Sequence, residues 1–146
     1  MPHHSPQYET LQQVLLLANR IRTYNDPLYP EFSAKQWYLL LTLRDLGDEA
    51  PTLNTLAALM GSSHQNIRQM VSRLERKGFV RLSTDEENRR KTRVHLTAQC
   101  EPLWEKYLQV QEQSIQTLFR DLSPQQQSVT LDTLRKLNAY FEKTPE

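Results

Sequence analysis

The chain has 146 residues, 38% of them apolar, and a formal charge of +1, which fits one domain or one domain with a dimerisation extension. That apolar share is lean for a self-contained monomer core, yet the helical patterning excludes disorder, and long amphipathic helices finishing their burial on a second copy reconcile the two. A lone cysteine excludes an intrachain disulfide framework and fits a reducing cytoplasm; no run nears the ~18 apolar residues of a membrane span, and the start lacks a signal pattern.

Residues 1–7 are rich in Pro and His and read as a mobile start. His3 and His4 are too few and too terminal for a metal site. From Tyr8 the spacing predicts a helix over 8–25. Leu11, Val14, Leu15, Ala18 and Ile21 form its apolar stripe, widened by Leu16 and Leu17. Such a helix is expected to be buried on more than one side, against the core or a second subunit. The connector NDPLYPEF carries two prolines and is expected to be non-helical. Ser33 and Gln36 then form a capping box, opening a helix that runs to Gly47 with Trp37, Leu40, Leu41 and Leu43. A short helix follows from Thr52, with Leu53, Leu56, Ala57 and Met60, and Gly61 makes a tight turn.

The next helix, capped by Ser62 or Ser63, puts Ile67, Met70, Val71 and Leu74 on one face. The other face carries Ser63, Gln65, Asn66, Arg68, Gln69, Ser72 and Arg73, with no carboxylate before Glu75. Gln and Asn can pair with adenine edges and Arg with guanine. Gly78 suits the helix end. Two strands follow, over 79–82 and 92–96, around the polar tip STDEENRRK. Residues 61–97 hold nine cations against four anions, a local excess of five in a chain of net +1. Such local excess is what a phosphate-binding surface needs. The last segment, 98–143, reads as two helices broken at Leu122-Ser123-Pro124, with Pro102 forcing a kink or a later start. The three glycines, Gly47, Gly61 and Gly78, each fall at an expected helix end.

A helix followed by a basic hairpin is the layout of a winged helix-turn-helix. The stretch LAALMGSSHQNIRQMVSRLERKGFVRLSTDEENRRKTRVHLT resembles the winged-helix core of the MarR (multiple antibiotic resistance regulator) family. The matching positions are Leu56-Ala57, Gly61-Ser62-Ser63, Leu74 to Gly78, Asp85, Arg89-Arg90, Val94 and Leu96-Thr97. Asn88 stands where that family usually has a second wing Asp, and Cys100 where it usually has Gly. The resemblance implies a single MarR-type domain over 1–146, mainly α with a small β-hairpin wing. The winged helix-turn-helix would occupy 33–97, and helices over 8–25 and 98–143 would form a homodimer. It further implies a cytoplasmic transcriptional regulator, usually a repressor, that binds pseudo-palindromic double-stranded DNA and is released by a small aromatic or phenolic effector.

On this reading Ser62, Ser63, Gln65, Asn66, Arg68, Gln69 and Arg73 face DNA from the recognition helix. Arg89, Arg90 and Lys91 do so from the wing; Arg90 enters a minor groove, and the other arginine pairs with Asp85 to hold the hairpin. Tyr24, Tyr29, Trp37 and Tyr38 are the candidate ligand pocket, against a reading of aromatics at this spacing as core. Cys100 reads as a packing residue, with a redox-sensing thiol as the alternative. There is no Gly-rich phosphate loop, no HExxH, no GxSxG and no paired Cys ligands, so no enzyme, cofactor, catalytic residue or metal is expected. The rivals from other classes are a winged-helix protein-interaction module and an architectural DNA-binding protein.

Overall fold

The computed structural model describes residues 5–142; residues 1–4, with His3 and His4, and residues 143–146 lie outside the described residues. Six helices and one two-stranded antiparallel sheet follow in the order α1 (Pro6–Asn25), α2 (Ala34–Asp45), α3 (Leu53–Met60), α4 (His64–Arg76), β1 (Val80–Thr84), β2 (Thr92–Leu96), α5 (Glu101–Phe119) and α6 (Pro124–Glu142). The chain divides into two compact units, Met1–Glu105 and Lys106–Glu146, so the boundary falls within α5.

The first unit holds the core. Leu39, Leu40, Leu43, Leu53, Leu56, Ile67, Val71, Leu74, Val80 and Val94 are all buried, which joins α2, α3, α4 and both strands around one apolar centre. Helix α2 starts as its sequence dictates. The Ser33 hydroxyl accepts from the Gln36 amide at 3.1 Å, and the Gln36 side chain accepts from the Ser33 amide at 3.1 Å. Gln36 is buried and spends its carbonyl oxygen on this cap. Gly61 ends α3 at φ 59°, a left-handed conformation that other residues enter only with strain. Its amide and that of Ser62 return to the carbonyls of Ala58 and Ala57. The sharp turn that results lets α4 begin three residues later, at His64.

An aromatic cluster closes one side of this unit. Tyr29 stacks on Trp37 at 5.1 Å, Phe32 meets Phe79 edge-on at 4.9 Å, and Trp37 packs at 5.6 Å from Trp104.

Four local expectations are corrected. Helix α1 begins at Pro6 rather than Tyr8, because the Ser5 hydroxyl accepts from the Tyr8 amide and Pro is well tolerated in a first turn. The connector holds a 3-10 turn, Asp26–Leu28, since Pro27 occupies its first turn, where a missing amide costs nothing. Strand β1 runs on to Thr84, because the register from Val80 opposite Leu96 continues to Thr84 opposite Thr92. Finally, α1 has no buried residue within this chain, and Leu15 is 68% exposed, which overturns burial of α1 in the chain's own core and leaves the second-subunit alternative untouched. Pro102 is accommodated by a later start: a 3-10 turn, Ala98–Cys100, precedes α5, which puts the proline in the first turn.

In the second unit, the rest of α5 and α6 are separated by Ser123, whose hydroxyl caps the Gln126 amide at 3.2 Å. Helix α6 has no buried residue among those described. Ile115, Leu118, Val129, Leu134 and Leu137 are exposed along the two helices.

Candidate nucleic-acid interface

Helix α4 divides cleanly. Ile67, Val71 and Leu74 are buried, which anchors the helix by one stripe. Gln65, Asn66, Arg68, Gln69 and Arg73 are therefore turned outward, and all are exposed. Ser63 is the cap: its hydroxyl accepts from the Asn66 amide at 3.2 Å. Ser62 is half-buried, its amide engaged with Ala57. An outward row of three amides and two guanidiniums, with no carboxylate before Glu75, can donate to phosphates and pair with base edges.

The hairpin is seated on the first unit by its base. Arg93 Nε donates to Asp85 Oδ1 at 2.6 Å, and its Nη1 donates to the Ala50 carbonyl at 2.6 Å. Thr52 forms a bridge to Arg93, and the Val94 amide donates to the Pro51 carbonyl at 2.9 Å. Residues 50–52, the approach to α3, thus lie along the outer edge of β2. Asp85 also organises the tip. Its Oδ2 accepts from the Asn88 amide, and its own amide donates to the Lys91 carbonyl. The Arg93 hydrogen bond, outweighing burial, holds the Asp85 carboxyl below the usual carboxylate range.

This corrects the expected partner of Asp85. Arg93 holds it, one full strand position past Thr92, while Arg89 and Arg90 stay exposed with Lys91 at the tip. The reason is register. Arg93 lies beside the 50–52 segment, where its guanidinium reaches a carboxylate and a carbonyl together. Asn88 caps the tip from the family's Asp position, its side-chain oxygen accepting from the Arg90 amide at 3.1 Å. Sequence reasoning passed over Arg93 because it sits in an alternating strand; the signal available was its place opposite Ser83, eight residues from a lone Asp.

His95 is placed on β2 with its Nε2 2.7 Å from the Ser83 hydroxyl. Burial first, then the nearby Arg81 and Arg93 charges, lower its pKa, which leaves the ring neutral at neutral pH. On the other side of the hairpin, the Cys100 thiol donates to the Phe79 carbonyl at 3.1 Å. It is 1% exposed, and burial raises its pKa, so the reactive thiolate is scarce.

The four aromatic residues of the expected ligand pocket are not brought together as a box. Tyr29 and Trp37 are buried and stacked in the core, whereas Tyr24 and Tyr38 are exposed. No cluster of three or more metal-ligating side chains occurs among the described residues, and no helix among them is long and apolar enough to cross a membrane.

Residues 32–91 match the family model described as MarR family. No curated protein matches. Solved structures with this fold include BpsR of Bordetella bronchiseptica, described in terms of regulation of its DNA binding by 6-hydroxynicotinic acid. It is 25% identical, with 92% of this chain and 94% of that one covered at a TM-score of 0.76. A MarR/EmrR family transcriptional regulator from Acinetobacter sp. ADP1 is 15% identical, covering 96% and 99% of the two chains at 0.82. MepR of S. aureus, solved with DNA, is 19% identical, covering 91% and 97% at 0.79.

Proposed function

We propose that this chain, whose residues 32–91 match the MarR family model, is a sequence-specific repressor that reads pseudo-palindromic duplex DNA as a homodimer. The observation that carries this reading is the outward face of α4, where Gln65, Asn66, Arg68, Gln69 and Arg73 are exposed on a helix anchored by its opposite stripe. In this reading those side chains enter a major groove with Ser62 and Ser63 at the mouth. Arg89, Arg90 and Lys91 reach the flanking minor groove, where a narrow A·T tract concentrates negative potential. The Arg93 bridge supports that division of labour, since it occupies Asp85, and among the described residues neither tip arginine forms an ion pair.

The homodimer reading rests on what the chain leaves uncovered. Helices α1 and α6 bury nothing in a single chain, although they carry Leu11, Leu15, Leu17, Leu131, Leu134, Leu137 and Phe141. Exposed apolar faces on this scale mark an interaction surface. A two-fold dimer would cover them with their own equivalents and set two recognition helices one turn of DNA apart. Relief by a small effector is supported by the fold shared with BpsR, whose DNA binding is described as regulated by such a ligand.

The test is fluorescence anisotropy of a labelled duplex from the upstream region of the protein's own gene, titrated at several salt concentrations beside a shuffled duplex. Preferential binding with a steep salt slope and two chains per site is the expected result. Equal, weak binding to both duplexes would overturn the sequence-specific reading, and no binding at low salt would overturn the DNA reading itself.

A further inference from the structure

Behind the hairpin, within the first unit, lies an open concavity of about 560 Å³, whose charged lining residues are exposed and include none of the proposed DNA contacts. Its walls come from the end of α2, the 47–51 turn, both strands and the start of α5. Five charged side chains line it: Arg44, Arg81, Asp48, Glu49 and Glu101. Among the described residues, none of the five forms an ion pair. The lining thus presents cations and anions around one concavity without neutralising either set internally. Arg44 also lies 5.3 Å over the Trp104 ring, so one guanidinium is held at the wall by an aromatic face and keeps its donors for a second partner.

We propose that this cavity binds a small zwitterion of the α-amino acid or short-peptide type, with its carboxylate on Arg44 and Arg81 and its ammonium on Asp48, Glu49 or Glu101. A planar guanidinium offers paired donors that match a carboxylate. An ammonium group has three donors and suits carboxylate partners. A simple anion would meet three carboxylates, and a simple cation would meet two guanidiniums. Only a ligand carrying both signs uses the whole lining. The volume exceeds that of a single small amino acid and leaves room for a side chain or a second residue.

The site lies next to the wing mount. Ala50 and Pro51 line the cavity, and the same two residues hold Arg93 and Val94 through their carbonyls. A ligand seated there bears on the segment that fixes the hairpin, so binding is coupled to DNA affinity. This coupling, unlike the site itself, rests on the DNA-binding reading above. A coupling in the ordinary range changes affinity between about 5-fold and 150-fold, and equally in both directions.

The test is titration calorimetry of the full chain with the standard L-α-amino acids and their dipeptides with alanine, each beside its N-acetyl and methyl-ester forms. The expected result is saturable heat for at least one free zwitterion, lost when either end is blocked. It is also expected to be lost in the triple variant Asp48→Asn, Glu49→Gln, Glu101→Gln, isosteric changes at three exposed positions, and in Arg44→Gln, with unchanged melting of both variants as the check on folding. Absence of binding across the panel, or equal binding of blocked forms, overturns the proposal. The ligand that binds is then added to the labelled-DNA titration. A shift of DNA affinity supports the coupling, and an unchanged affinity overturns it. A chain that binds the zwitterion but no DNA leaves the site standing and refutes the DNA reading instead.

Discussion

Arg93 and Asp85 tie the wing together, and each reaches a second partner: Ala50 for the arginine, Asn88 for the carboxylate. Removing either partner leaves the other with half its contacts. We therefore expect Arg93→Ala to weaken DNA binding with little change in the melting temperature, since the pair holds the hairpin and not the core. Anisotropy and calorimetric melting would check the two halves. The pH dependence follows from the direction of the Asp85 shift. Its folded value lies below its unfolded one, so the stabilisation is complete above the ordinary carboxylate range and is lost as pH falls through the folded value. Acidification below that range should free the tip, and NMR order parameters for residues 86–90 should drop there. In Asp85→Asn they should be low at all pH values. The His95 ring is already uncharged at neutral pH, so its lowered pKa costs stability only as pH falls below the ordinary histidine range.

At the scale of elements, the helices follow their punctuation. Ser33→Ala should cost about 1 kcal/mol through the lost cap of α2. Leu74→Ala, a fully buried position on α4, should cost about 2–5 kcal/mol. Both are measurable by denaturant unfolding. Gly78 is stricter than Gly61. Its φ is 84°, and a Cβ there would come within 2.5 Å of the Gln99 side-chain oxygen, so Gly78→Ala needs both a strained backbone and a displaced neighbour. Much of this was legible beforehand, because each helix end is marked by a residue type with one conformational use: Ser33, Gly61, Gly78 and Ser123. The recognition face was legible for the same reason, since the Ile67-Val71-Leu74 stripe dictates which side of α4 faces out. The hairpin mount was not legible. It depends on residues 50–52 lying against β2, a pairing some 40 positions apart in sequence with no period to announce it. The burial of Tyr29 and Trp37 follows the core reading of aromatics at this spacing, but which two of the four would be buried was not legible, as their partners come from different helices and a connector.

For the whole molecule, exposed apolar helices and the basic surface proposed to bind DNA call for two different solution tests. Sedimentation should give two chains for the parent, and Leu15→Glu, which places a charge on the uncovered face of α1, should shift it toward the monomer. Arg90→Ala should lower the slope of log affinity against log salt by about one, whereas Arg68→Ala should cost about 1–3 kcal/mol and relax sequence preference. The hairpin mount has one more consequence. The Val94 amide points away from β1 and is hydrogen-bonded to Pro51. Its solvent exchange therefore times the detachment of the loop before α3, independently of any fraying between the two strands. A single backbone proton thus serves as a built-in clock for the moment when the wing lets go of the body that aims it.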